Sequence, residues 1–514
     1  MIRDQLRLEA LPMGDSMPYP TNWLWESLPA IISWTVLLAP LWLTAVAPVL
    51  GVYFVGLTVA YFAVRASFFG IRALINRRSV LRASSEDWMA KLLALPGEGQ
   101  LDWRECRVTL MIRAFREKNL DMLRATVQSI ADSNWDREGT RLRNVEVLFA
   151  TEENDPYTPG LVEMLAEEFA DRVAVRQIKH PKEPGTLPGP STAMNYAGRI
   201  LYGDAKRRGV SPRRWIVADF DADTLFHPEY LPCLVYHYVT DSERDFRAYQ
   251  PVVLFTTDYW KAPLHSRLSA LGTSTLTLGW NRRPEIAFTG AAASLAALHS
   301  VGFWPTNSHS QDSGVQLRFT MKYGRRFRVT GLPIPLSVYP VMEMGSKTLW
   351  REKVRAYWVS CVTLFRQSAR WREGPMDEFI ESSSRGRPWL ALQRLWNGLE
   401  RDTLTLMPGY GMLVVSYLVE SNTVPSAMGS LKSTVAVTLT AVSLLGLLVF
   451  WVALATRELV PGQKRPVRWL WELLLFWLVF SVYVPIFTSV AGLKTSTAYA
   501  MGKRPRGHFM PTPK

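Results

Sequence analysis

Trp215-Ile216-Val217-Ala218-Asp219-Phe220-Asp221-Ala222-Asp223-Thr224 is a short apolar run that breaks into three alternating acids. It reads as a buried strand whose carboxyl end delivers a D-x-D pair, Asp221 and Asp223, to the surface. Two carboxylates one residue apart can hold a hard divalent cation, Mg²⁺ or Mn²⁺, which then gathers the oxygens of a diphosphate. Open α/β sheets bind ligands in the crevice outside the carboxyl ends of their strands. An acidic loop start that binds only water gives the same pattern, so the surroundings of the motif decide.

Those surroundings alternate strands with helices. Val108–Ile112 reads as a strand, and Leu120, Leu123, Val127 and Ile130 after it recur at helical spacing. Strands are expected at Val145–Ala150 and Val173–Ile178, with helices over Leu161–Phe169 and Ser191–Leu201. This rhythm predicts a mostly parallel sheet covered on both faces.

The chain has 514 residues, 48% of them hydrophobic, 20% charged and 20 of them Trp, an apolar balance for a soluble enzyme. The apolar residues are concentrated. Residues 28–66 are long enough for two short membrane crossings, with Pro40 and Pro48 near the turn. Residues 430–455 and 469–493 can each cross once, and 404–418 is a shorter candidate containing Pro408 and Gly409. The mixed residues 1–27 and the length of the first apolar run argue against a cleaved signal peptide. Basic residues flank the apolar blocks: Arg65, Arg72, Arg77, Arg78 and Arg82 after the first, Arg457, Lys464, Arg465 and Arg468 between the last two. The net charge of +14 is therefore read as the positive-inside pattern of a multi-pass membrane protein, not as a nucleic-acid interface. The same rule puts residues 76–387 on the cytoplasmic side, with the plasma (inner) membrane as the expected location. Two spans before that domain and three after it would leave the basic tail, 494–514, outside, so 404–493 holds two or three helices. In 388–403, Trp389, Leu392, Trp396 and Leu399 share a face, which fits either an interfacial helix or one packed on the domain. Cys106, Cys233 and Cys361 have no metal-type spacing.

Three elements follow the acids. Asp312, after a polar stretch and before a helix at Val315–Met321, is placed to take a proton from an acceptor hydroxyl, although an acid there also serves as a helix cap. Gln367 and Arg370 share a helical face and Trp371 follows. They offer fork-like donors for diphosphate and sugar oxygens and a flat platform for a sugar ring, or else an ordinary basic-aromatic patch. Phe288-Thr289-Gly290-Ala291 is a small-residue segment that could let a substrate approach the backbone.

The ordered set D-x-D, lone acid and Q-x-x-R-W, in an α/β domain between apolar blocks, resembles the family 2 membrane glycosyltransferases. Cellulose, hyaluronan and chitin synthases are its processive members. The resemblance covers roughly Arg107 to Trp371 and implies a GT-A-like (Rossmann-like) domain flanked by transmembrane helices. It implies Asp221 and Asp223 as metal ligands and Asp312 as the base. Glu117, Glu152 (or Glu153), Asp221, Gln367 and Arg370 would contact the nucleotide-sugar, and Trp371, Thr289 and Gly290 the acceptor. The implied reaction is inverting, metal-dependent transfer from a nucleotide-sugar, with a UDP-sugar as the first expectation, to a growing β-linked polysaccharide. Single-sugar transfer to a lipid acceptor and a non-catalytic membrane relative are the alternatives. Ser191-Thr-Ala-Met-Asn195 resembles the family's K-x-x-A-L-N, and Phe509–Lys514 its carboxy-terminal W-x-x-T-x-K. Arg113 stands where proline is usual, Gln311 replaces a glutamate, and no lysine precedes Asn195 at the usual place.

Overall fold

The computed structural model describes residues 22–96, 101–181, 189–280, 289–306, 311–340, 350–411, 413, 414, 417 and 485–503. The expected span over 430–455, residues 469–484 of the one over 469–493, and the tail from residue 504 lie outside the described residues.

The apolar run at Trp215 is a central strand. Eight strands form one sheet: β1 (Arg107–Arg113), β2 (Val145–Glu152), β3 (Ala174–His180), β4 (Trp215–Asp221), β5 (Leu225–Phe226), β6 (Arg247–Leu254), β7 (Ala292–Ser294) and β8 (Arg328–Ser337). Their spatial order is β3-β2-β1-β4-β7-β6-β8-β5. β3, β2, β1 and β4 run parallel, as do β6 and β8, whereas β7 is antiparallel to both its neighbours and β5 to β8. The sheet is thus mostly parallel with two short reversed strands.

Strands buried on both faces need apolar residues at every position. On one face Ile112, Phe220 and Ala218 pack under α4 (Leu120–Ala131), α5 (Thr158–Glu168) and α7 (Tyr230–Thr240). On the other, Met111, Trp215 and Val217 pack under α6 (Pro190–Arg207) and α9 (Leu295–Ser300). The period of two continues past Val217, so Asp219 and Asp221 project from the second face. Parallel pairing sets Arg113 beside Asp221 and Met111 beside Asp219.

The first apolar block forms two helices. α1 (Trp23–Val46) contains Pro29 and Pro40 and ends at Ala47, where Pro48 opens α2 (Pro48–Ser84). Proline in the first helical turn forfeits an N–H that has no partner there anyway. Both helices are long and apolar enough to cross a membrane, and about a third of each apolar window, 33% and 35%, is buried inside the protein. α2 does not stop at the basic residues. It runs 37 residues, and its far end belongs to the sheet domain: the buried Asn76 Nδ2 donates to Leu278 O at 2.7 Å, and Ala73 and Val80 pack with Val252 and Leu254. The partner is α8 (Leu264–Trp280). Helix rather than a basic loop therefore joins the apolar block to the sheet.

α10 (Gln311–Tyr323) carries Asp312 in its first turn, and α11 (Trp350–Ser384) carries Gln367, Arg370 and Trp371. α12 (Pro388–Asp402) is fastened by its polar side. Arg394 and Glu378, 9% and 4% exposed, pair at 2.7 Å, and Arg65 on α2 pairs with Glu400 at 2.8 Å. Its apolar face is left outward, with Trp389, Leu392 and Trp396 exposed. Residues 404–411 form a 3₁₀ turn running into a π turn, and α13 (Ala491–Ala500) extends helix into what the sequence assigned to the tail. α13 packs on α11, where Tyr499 Oη donates to Asp377 Oδ1 at 2.9 Å.

Candidate active site

The carboxyl ends of β1 and β4 bring one cation and three acids together. Arg113 Nε donates to Asp221 Oδ1 at 2.8 Å and Nη1 to Asp312 Oδ1 at 2.9 Å, while Asp219 Oδ2 lies 3.6 Å from Nη1. The Arg113 and Asp219 side chains are 7% and 3% exposed, Asp312 24% and Asp221 39%. The group is therefore buried at its root and open at its outer edge. Burial alone would lower the pKa of the guanidinium, but the charges of Asp221, Asp312 and Asp219 outweigh it and hold Arg113 well above its ordinary value. Asp219 goes the other way. Burial, reinforced by the charge of Asp312, pushes its carboxyl well up despite Arg113. Its Oδ1 is buried without a hydrogen-bond partner among the described residues.

Asp223 completes the D-x-D pair two residues on. It is buried just beyond β4, where its charge, after burial and Asp258, helps to raise the pKa of the Tyr339 phenol. Between Asp221 and Asp223 the chain is held by Thr126 Oγ1, which donates to Ala222 O at 2.9 Å. Among the described residues no cluster of three or more His, Cys, Asp or Glu could cage a metal. The donor set of Asp221 and Asp223 is nevertheless the right chemistry for Mg²⁺ or Mn²⁺, hard oxygens few enough to leave coordination positions for phosphate.

The segment Thr289-Gly290-Ala291 lies along β4 and positions its acids. Asp221 N–H donates to Thr289 Oγ1 at 2.9 Å, Gly290 N–H to Asp219 O at 2.6 Å, and Asp219 N–H to Ala291 O at 3.2 Å. Gly290 has φ +91°, and a Cβ there would meet Leu336 and Pro251 at 2.9 Å and Phe220 at 3.2 Å. The close approach that glycine permits is to the protein's own core.

Arg370 sits near enough to feel these charges. Burial pulls its pKa below the ordinary value, opposed by Asp221 and Asp312 and reinforced by Arg113. Gln367 Oε1, one turn earlier, is buried with no hydrogen-bond partner among the described residues. Trp371 turns to the surface, 42% exposed. Glu373, one turn beyond Arg370, is pushed up to about 8 by burial, then by Asp377, with Arg370 opposing. Folded protein thus keeps a proton that the unfolded chain loses near its ordinary 4.5, and stability should fall as pH rises from 4.5 through about 8. Glu373→Gln should flatten that decline, raising the melting temperature at pH 8.5 but not at pH 4.5 in thermal scans.

Glu117 and Glu152, the expected nucleotide contacts, sit in different surroundings. Glu117 follows β1 in a loop knotted by Asp155, which accepts from Arg116 N–H at 2.5 Å and from Thr158 Oγ1 at 2.6 Å, while Glu117 N–H donates to Thr158 Oγ1 at 3.0 Å. Glu152 is buried and both its oxygens meet protein: Gly189 N–H donates to Oε1 at 2.9 Å and His180 Nδ1 lies 3.2 Å from Oε2. Its carboxylate ties β2 and β3 to the start of α6. Asn195 likewise binds backbone, donating to Gly302 O at 3.0 Å and Trp304 O at 2.5 Å. This fixes α6 against the chain leading to α10 and Asp312. Sequence reasoning passed over Asp155, the buried partners of Glu152 and the cationic role of Arg113. The last had a signal, because a charge closing an otherwise apolar strand must find partners when buried.

No known family model matches the chain, and no curated protein matches it. Among solved structures it is similar to the mannosyltransferase PcManGT from Pyrobaculum calidifontis in complex with GDP-Man and Mn²⁺, at 16% identity and TM-score 0.40, over 77% of this chain and 100% of that one. It is also similar to GalNAc-T7 with UDP, GalNAc and Mn²⁺, at 11% identity and TM-score 0.31, over 63% and 58% of the two chains. At these low scores the likeness carries no argument for this chain.

Proposed function

We propose that the chain is a membrane-bound inverting glycosyltransferase that moves a sugar from a nucleotide-sugar to a β-linked glycan, in the manner of the family 2 enzymes its motifs resemble. The observation that carries this reading is the meeting of Asp221 and Asp312 on one guanidinium, with the charge of Arg370 beside them. Three motifs far apart in sequence share one site at the carboxyl edge of a parallel sheet.

In this reading Asp312 takes the proton of an acceptor hydroxyl as that oxygen attacks the anomeric carbon from the face opposite the leaving group. Arg370 binds the leaving diphosphate, and Gln367 adds a polar contact from the same helix. Asp221 and Asp223 would hold Mg²⁺ or Mn²⁺. A divalent ion, when bound, supplies positive charge to the departing diphosphate. Trp371 offers its exposed ring to the acceptor. Glu117, in the loop after β1, would contact the nucleotide. The two long apolar helices and the outward apolar face of α12 support a seat in the bilayer.

The test is nucleotide release by the full chain in detergent, against UDP- and GDP-sugars with Mg²⁺ or Mn²⁺. Metal-dependent release from one donor supports the reading, and no release from any donor removes it. Product size by mass spectrometry separates polymer synthesis from transfer of one sugar to a lipid. Arg370→Ala should lower kcat by about 10²–10³-fold, the usual cost of removing a donor to developing charge. Arg370→Lys should recover part of the loss, since the charge remains without the fork.

A further inference from the structure

Arg113 does something the sequence motifs do not require. Its buried guanidinium stands where β1 and β4 end, bonded to Asp221 at 2.8 Å and Asp312 at 2.9 Å, with Asp219 at 3.6 Å. Two of those acids have different duties in the proposed reaction, one toward the metal and one toward the acceptor. A single cation therefore joins groups that must work separately.

We propose that Arg113 is a built-in competitor of the divalent cation, a positioning residue that occupies Asp221 and restrains Asp312 until a metal-bound diphosphate draws Asp221 away. This rests on the transferase reading. The strand pairing gives it physical form: Arg113 is in register with Asp221, so the two side chains leave neighbouring strands side by side. Asp221, at 39% exposed, is the partner a ligand from solvent can reach, and Arg113, at 7%, is the buried one. A cation held a few ångströms from an acid weakens its hold on a second cation. Releasing Asp221 from Arg113 would leave Asp312 bonded to the guanidinium from the first turn of α10, with Asp219 still beside it. Without donor, the site should take up metal poorly; with donor, the diphosphate supplies the missing ligands.

The test is Mn²⁺ binding to the full chain in detergent without donor, followed by electron paramagnetic resonance. Arg113→Gln should tighten Mn²⁺ binding at least about tenfold over the wild type. Arg113→Gln/Asp219→Asn, which removes an acid together with the cation, should do the same and serves if the single variant folds poorly. Adding Asp221→Asn to either should abolish the gain. Unchanged or weaker Mn²⁺ binding in both Arg113 variants would overturn the proposal, as would a gain that survives Asp221→Asn. Nucleotide release by the wild type, measured in parallel, separates the two readings. Turnover with unchanged Mn²⁺ affinity in the variants removes the competitor and keeps the transferase. Tighter Mn²⁺ binding in the variants with no turnover by the wild type keeps the competitor and removes the transferase.

Discussion

Asp312→Asn should reduce nucleotide release by about 10²–10⁴-fold, the range a general base contributes, while the protein still folds. The amide is nearly the same size and can still accept from Arg113 Nη1, which meets Asp312 Oδ1 at 2.9 Å. It cannot take a proton from an attacking hydroxyl. Folding should be preserved because Asp221 and Asp219 still face the guanidinium. A circular dichroism spectrum and melting temperature near the wild type would show that only the chemistry was lost. Near-normal turnover would remove Asp312 from the role.

Gly290→Ala should be among the most damaging of small substitutions, through stability rather than chemistry. The residue has φ +91°, where L side chains are strained, and a new Cβ would press on Leu336, Pro251 and Phe220. Overpacking of this kind costs about 1–3 kcal/mol, and the backbone strain adds about 1–2 kcal/mol. A fall in melting temperature of about 5 °C or more follows for a domain of this size. Activity should fall with it, because Gly290 N–H and Thr289 Oγ1 both bond the backbone that presents Asp219 and Asp221. A melting temperature unchanged in Gly290→Ala would mean that the segment yields more easily than its packing implies.

Much of the sheet was legible because its physics is local. Val108–Ile112, Val145–Ala150 and Trp215–Ala218 are mostly apolar runs, and each is a strand within one to three residues. The acids at the end of β4 could be read the same way, since alternation and chain order carry them. What could not be read depends on residues far away in sequence. Arg113 looked like a departure from a family pattern, yet the site is organised around it, because the register of β1 on β4 appears in neither strand alone. Glu152 has a sequence neighbourhood fit for a nucleotide contact, but Gly189 and His180 reach its carboxylate from other elements. Gly290 reads in the sequence as a place where a substrate could approach the backbone. Its crowding by Phe220, Pro251 and Leu336 exists only once three strands meet. The end of the apolar block at Arg65 also misled, because helix continues wherever one face can pack, and α8 provides that face to α2.

α2 is longer than a single crossing needs. Its 37 residues span about 55 Å at 1.5 Å per residue, against about 30 Å for the hydrocarbon layer of a bilayer. Something near 25 Å of rigid rod is left over, and its last turns are locked to the sheet through Asn76 and Val80. The rod works as a fixed strut. Seated in a bilayer as proposed, it would set the height of the candidate site above the lipid and convert any tilt of the helix into a sideways swing of that site. An acceptor of the proposed transferase would then have to meet the site at that height, and the helix would act as a gauge of which substrates can be reached.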